Sequence, residues 1–266
     1  MTSPAKAGRA VGILALLDRL APLLAFAAFL LLWETASRLF AIPSFLLPAP
    51  SRILVDGLSV APSVWANHIW ATLRVALMGY ALAILVAFPL AVGLASSRLL
   101  SRTLYPFLVV IQSTPIVAVA PIIVVTLGAG DLPRVVITFL ITFFPIVVAT
   151  ATGLLATPEE MVELSRSLRG GRRREILQIR FPYALPHVFS ALKISTTLAV
   201  IGAVVAELVA AEAGLGFFIA FSTSFFRIPQ AFAGLVVLVL LSLLMFHLVA
   251  WSQKRLAPWS LPKSER

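Results

Sequence analysis

The sequence predicts an all-α integral membrane protein, on three observations. Hydrophobic residues make up 60% of the chain and charged residues only 12%, with a mean hydropathy of +1.02; a soluble domain carries about 25% charged residues. Six segments reach or approach the ~20 apolar residues that a spanning helix needs. Lysine and arginine gather in the loops on one side of those segments, as cytoplasmic loop charges do in membrane proteins. The net charge of +10 is therefore loop charge and not the basic patch of a soluble nucleic-acid-binding fold. The chain has no cysteine, which excludes disulfides and thiolate metal sites. His68, His187 and His247 form no ligand-spaced pair, so no metal site is expected.

Taken in order, residues 1–19 read as a cytoplasmic arm with a short apolar patch at Val11–Leu17. The first span is Leu20–Phe40; its apolar run is too long for a signal peptide and lacks a small-residue cleavage site, so it reads as a retained helix. A proline-punctuated outer loop follows, with Trp65 and Trp70 placed as interfacial tryptophans. The remaining spans are Val75–Ala95, Tyr105–Leu127, Val135–Ala156, Ile194–Ala211 and Ala231–Trp251, the fifth being short and interrupted by Glu207. The membrane domain is thus residues 20–255, with a cytoplasmic tail at 256–266. With the N-terminus inside, sixteen of the 21 basic residues lie on the cytoplasmic side and five outside (Arg38, Arg52, Arg74, Arg134, Arg227). Both termini are therefore expected in the cytoplasm.

Between the fourth and fifth spans, residues 157–186 carry six arginines and four glutamates. Thr157, Pro158 and Glu160 predict a capped helix start, and Glu163 and Arg166 are spaced to pair across one turn. Gly170 and Gly171 predict a stop. A second helix, about Arg172–Arg180, is expected to end before Pro182. Met161, Val162, Leu164 and Leu168 give the first helix an apolar side, and Ile176, Leu177 and Ile179 the second. That side suits a partner's groove or packing against the chain's own spans; spacing leaves both open.

Polar groups at membrane depth are few. Gln112-Ser113-Thr114-Pro115 interrupts the third span, where proline removes a helical hydrogen bond. These residues suit a substrate pathway or helix–helix hydrogen bonding. Glu207 suits a structural pair with Arg134 or Arg227, or the lining of an outer gate. Glu34, near the outer boundary, reads as structural.

The insert resembles the cytoplasmic loop of bacterial ABC importer permeases, whose pattern is Glu-Ala-Ala, three residues, Gly, nine residues, Ile, one residue, Leu-Pro. Here Glu163-Leu164-Ser165, Arg169, Ile179, Phe181 and Pro182 occupy those positions, with Gly170 one residue late for the turn and Leu168 on the apolar side. The resemblance covers roughly residues 40–255. LPAPSR at 47–52, TLRVALMGY at 72–80, PLAVGLASSR at 89–98, GAGDLPRV at 128–135, FFPIVVATATGL at 143–154, LPHVFSALKIS at 185–195 and VVAELVAAEAGLG at 204–216 are similar to the nitrate/sulfonate/taurine-type permease family.

This resemblance implies a type I importer permease of the bacterial inner membrane, with the 157–186 loop as a helix–turn–helix coupling element. It implies cytoplasmic ATPase subunits that use ATP, a second permease subunit (the same chain or a homologue), and a periplasmic or lipid-anchored substrate-binding protein. The chain itself has no GxxxxGK[ST] phosphate loop, so it is expected to bind no cofactor and catalyse nothing. Gln112-Ser113-Thr114-Pro115, Ala120-Pro121 and Phe143-Phe144-Pro145 lean toward the branch handling pyrimidine-type thiamine precursors or riboflavin; a nitrate, sulfonate or taurine anion is the alternative substrate. An intramembrane enzyme is the competing class, and the charged cytoplasmic insert is what separates the two, because an enzyme has no use for it.

Overall fold

The computed structural model describes residues 4–128 and 130–261, with side chains described from Leu20 onward. The described residues form helices joined by turns and short loops, without strands. They divide into two compact units, Met1–Val60 with Ser222–Ala233, and Ala61–Phe221 with Gly234–Arg266.

In the first unit, α1 (Pro4–Leu39) is one continuous helix. The backbone is therefore already helical through most of the stretch read as an arm, and residues 1–3 lie outside the described residues. A carboxylate holds α1 to α2 (Pro50–Leu58). Glu34 Oε1 accepts from Arg38 Nε at 2.6 Å and from Ser51 Oγ at 2.7 Å, while its Oε2 accepts from the Ser51 backbone N–H at 2.9 Å. An anion on the first turn of α2 meets amides that have no partner inside the helix, which bears out the structural reading of Glu34. The rings of Trp33 and Phe232 meet edge to face at 6.1 Å.

The second unit is built on three long helices: α3 (Pro62–Ser96), α6 (Asp131–Leu155) and α9 (Phe181–Ala210). Small buried residues let them approach. Ala76, Ala83, Ala87 and Ala91 line α3, facing Ile146, Val147 and Ala151 of α6 and Ala199 and Ala203 of α9. Lipid offers helices no hydrophobic reason to associate, so packing between small residues must supply the attraction. The tightest point is Thr138. A Cβ added to Gly202 would lie 2.8 Å from Thr138 Cα, and one added to Gly79 would lie 2.5 Å from Thr138 Cβ. Tyr80 adds a polar tie from α3 to α9, its hydroxyl donating to the Leu192 carbonyl at 3.0 Å.

Among the described residues, five helices are long and apolar enough to cross a membrane: Leu20–Leu39, Pro62–Ser96, Asp131–Leu155, Arg172–Ala210 and Ile228–Leu256, the last being α11. A sixth crossing needs α4 (Arg98–Ser113) and α5 (Ile116–Leu127) taken together. These two meet at 93°, so the third span is a broken one and not a straight helix. Proline explains the break. Pro115 has no N–H for the Ile111 carbonyl, which takes the Thr114 N–H instead at 3.2 Å. The Val110 carbonyl is thereby left free and accepts Thr114 Oγ1 at 3.1 Å, and Ser113 Oγ donates to the Val109 carbonyl at 2.8 Å. Thr114 itself is extended, as a residue before proline prefers.

The fifth span differs most from expectation. It does not begin near Ile194, and the insert's second helix does not end before Pro182. Residues from Arg172 to Ala210 form one helical run, passing from α8 (Arg172–Arg174) through a π-helical turn at Glu175–Arg180 into α9. The wider turn absorbs Pro182: the Phe181 N–H reaches back five residues to the Ile176 carbonyl, where an α-turn would press the proline ring on a carbonyl.

Gly202→Ala forces α6 and α9 apart at Thr138 and should cost about 1–3 kcal/mol. A lower thermal-denaturation midpoint in detergent is the expected readout, with Ala203→Gly as a comparison that widens rather than narrows the contact.

Candidate coupling surface, outer latch and pathway bend

The 157–186 insert folds as α7 (Glu159–Ser167), a turn, and the start of the Arg172 run. Thr157 does not cap α7. Its hydroxyl donates to the Leu154 carbonyl at 3.2 Å, closing α6 instead, and Pro158 stands at the α7 N-cap without a side-chain bond. At the other end the chain closes in a Schellman turn: the Arg169 N–H donates to the Arg166 carbonyl and the Gly170 N–H to the Ser165 carbonyl. The left-handed residue of that turn is Arg169, at φ +55. Gly170 is needed for space, since an added Cβ would lie 2.5 Å from Ser165 Oγ.

An ion cluster pins the insert to the membrane helices. Arg166 does not pair with Glu163. It reaches Glu175 Oε2 at 3.3 Å, while Arg180 Nε donates to Glu175 Oε1 at 2.8 Å. Arg180 Nη1 also donates to the Leu154 carbonyl at 3.2 Å. Glu175 is buried. Linear reading passed over it, because its partners lie nine residues before and five after, outside any single-helix spacing.

With that framework set, the α7 side chains sort by direction. Val162 and Ser165 are buried, whereas Leu164 is 61% and Leu168 73% exposed; Met161 and Leu177 are exposed as well. The apolar side proposed from sequence therefore splits, and its outward half has no packing partner among the described residues. Glu163 and Arg169 are exposed beside it, and Ile179 and Pro182 are half-buried.

Glu207 sits in a different cluster. It is 2% exposed and takes part in none of the ion pairs among the described residues; Arg134 instead faces Asp131 at 3.6 Å, and Arg74 joins Asp131 at 2.5 Å. The expected structural pair with Arg134 is thus replaced by a backbone latch. Three successive amides of the loop after α9 are each received by a side chain: Gly214 N–H by His68 Nδ1 at 3.1 Å, Leu215 N–H by Thr72 Oγ1 at 2.8 Å, and Gly216 N–H by Glu207 Oε2 at 2.7 Å. Gly214 stands at φ +125, and a Cβ there would collide with the Glu207 carboxylate. His68 and Thr72 carried no signal in the sequence, being more than 140 residues from the amides they hold.

Gln112, Ser113 and Thr114 are exposed at the α4–α5 bend. The two hydroxyls serve the backbone as described, and the Gln112 amide makes no hydrogen bond among the described residues.

A bundle of apolar helices with a broken span, a latched loop and a charged element presenting bare leucines has the makings of a transport subunit that works with a partner. A family profile described as the inner membrane component of binding-protein-dependent transport systems matches residues 79–260. The chain belongs to that family, and it is a permease of a binding-protein-dependent ABC importer. It is 34% identical over 240 residues to the formylaminopyrimidine transport permease protein ThiX of Halalkalibacterium halodurans, covering 90% of this chain and 96% of that one. The riboflavin transport system permease protein RibX of Chloroflexus aurantiacus is 35% identical, covering 86% of each chain. The taurine transport system permease protein TauC of Escherichia coli is 25% identical, covering 88% of this chain and 87% of its own. Among solved structures, a chain of the MetNI methionine ABC transporter in an inward-facing conformation superposes with a TM-score of 0.61 at 21% identity, over 79% of this chain and 97% of that one. This likeness establishes the type I importer permease fold.

Glu175→Ala leaves Arg180 half-buried without its carboxylate and removes the anchor of the α7 turn. Limited trypsin digestion should then cut at Arg172–Arg174 at least several-fold faster than in the wild type, while the transmembrane core stays protected.

Proposed function

We propose that this permease carries a small heterocyclic solute, of the pyrimidine-type thiamine precursor or riboflavin class, across the inner membrane, and that it couples to a separate ATPase through α7. The substrate class rests on similarity: the relatives named for formylaminopyrimidine and riboflavin are 34% and 35% identical, whereas the taurine permease is 25% identical. The coupling role rests on one observation, the bare Leu164 and Leu168 side chains beside Glu163. In water that patch is unfavourable, and a groove on a partner would bury it. The positive-inside count of sixteen to five orients α7 and both termini toward the cytoplasm, where the ATPase is. ATP is bound and hydrolysed by that subunit and not by this chain, which carries no phosphate loop. A second permease subunit and a substrate-binding protein complete the importer. Glu207 acts as a structural latch on the outer loop, and Gln112, Ser113 and Thr114 mark the pathway at the broken span.

The docking role is tested by Leu164→Asp with Leu168→Asp. Loss of about 1.5 kcal/mol for each buried leucine predicts roughly 100-fold weaker copurification of the ATPase, with membrane insertion unchanged. A cysteine replacing Ser167 should be labelled only from the cytoplasmic side and become protected when the ATPase binds. Labelling from outside would overturn the orientation and the docking surface together.

For the pathway, Gln112→Leu should lower uptake while assembly and basal ATPase activity stay near normal. Hydrogen bonds between membrane helices average about 0.6 kcal/mol, so loss of one cannot dismantle the complex. Joint loss of uptake and assembly would assign Gln112 to helix packing.

A further inference from the structure

Against the buried Val162 side of α7 lies a cavity of about 900 Å³. Its walls come from the end of α3, the first turns of α4, the end of α6, α7 and the π turn. Five arginines line it: Arg98, Arg102, Arg166, Arg172 and Arg180. Arg166 and Arg180 are committed to Glu175. Arg98, Arg102 and Arg172 make no ion pair or side-chain hydrogen bond among the described residues. Arg98 and Arg102 are four apart on α4, so both stand on one face of that helix, where like charges repel. Glu159 and Glu163 also line the cavity, and with Glu175 they leave the five arginines two charges in excess.

We propose that this cavity binds a phosphate-bearing anion, the headgroup of an anionic lipid or a soluble phosphate. The guanidinium fork matches phosphate oxygens and donates two hydrogen bonds at once. Ser96 and Ser101 also line the cavity, and their hydroxyls make no hydrogen bond among the described residues, so they remain available to a phosphate. Leu94, Leu155, Val162 and Ile176 add an apolar stretch of wall. An amphipathic ligand fits such a mixture: phosphate against the arginines, and glycerol or acyl carbons against the leucines. The volume falls within the ~300–1,000 Å³ usual for small-molecule sites. Bound there, the anion would neutralise Arg98 and Arg102 and tie the start of α4 to the coupling element. The inference stands apart from the transported substrate and from ATPase docking.

The test uses the full-length protein purified in detergent, with retention read by native mass spectrometry. Probes are dioleoylphosphatidylglycerol, dioleoylphosphatidylcholine and inorganic phosphate. Phosphatidylglycerol held in preference to phosphatidylcholine identifies a lipid headgroup; phosphate held without a lipid preference identifies a soluble ligand. In either case Arg98→Gln with Arg102→Gln should weaken retention about 25-fold, since each arginine near an anionic headgroup is worth roughly a factor of five. Glu159→Gln should strengthen it, a change of sign that misfolding cannot imitate. Arg173→Gln, outside the cavity, should leave it unchanged. Equal retention by the wild type and the double variant, or an equal loss in Arg173→Gln, would overturn the proposal, as would failure to hold either anion better than phosphatidylcholine.

Discussion

Close approach of α3, α6 and α9 at Thr138 is the constraint from which the other features hang. Gly79 and Gly202 stand against that threonine with no room for a methyl group. In a lipid solvent, helix association depends on such fitted contacts, because apolar surface gains nothing by leaving one hydrocarbon for another. With α9 clasped at Gly202, its two ends are placed by geometry. One continues back through the π turn to Arg172 and the coupling element, and the other ends at Glu207 and the latched loop. The run from Arg172 to Ala210 has 39 residues, or about 58 Å at the usual rise.

Prolines set the irregularities, and each is answered by a specific donor. At Pro115 the missing N–H turns the chain by 93°, and the neighbouring Thr114 and Ser113 hydroxyls take up the carbonyls at the break. At Pro182 the chain stays helical by widening to a π turn. The difference lies in what surrounds each proline. Phe181 and Ala184 pack with Leu154 and Val188, and Arg180 holds the Leu154 carbonyl, so the helix at Pro182 is kept in line by tertiary contacts. Residues 111–115 are exposed and have no such support; tertiary packing resumes only at Ile116, against Ile137 and Ala206. A broken backbone at membrane depth needs a cavity or a neighbour to cover it.

The coupling element departs from its family pattern where the geometry is most demanding. The position that the pattern gives to glycine is the left-handed residue of the Schellman turn, and here it is Arg169 at φ +55. A side chain in that conformation costs roughly 1–2 kcal/mol. The turn forms nonetheless, held by two backbone hydrogen bonds and by Gly170, whose missing side chain admits Ser165. Glu175 between Arg166 and Arg180 supplies further restraint. The departure from the pattern places a cation beside Leu168 within a regular Schellman turn.

Composition and the spacing of apolar runs determined the helical class, the approximate place of most apolar segments and the presence of a charged insert, because lipid demands long apolar segments and local hydrogen bonding of the backbone. They did not determine the Arg172 start of the fifth run. Residues that depend on one neighbour along the chain were legible too, such as the break at Pro115. What local pattern could not contain was which of two compatible partners each polar group takes. Arg166 had Glu163 within one turn and chose Glu175; Thr157 had a helix start before it and closed the helix behind. Glu207 was expected to meet an arginine and instead receives an amide of its own loop, beside His68 and Thr72 from a helix more than 140 residues earlier. Those choices follow from burial and from the distances that packing leaves between helices, and only the tertiary structure holds that information.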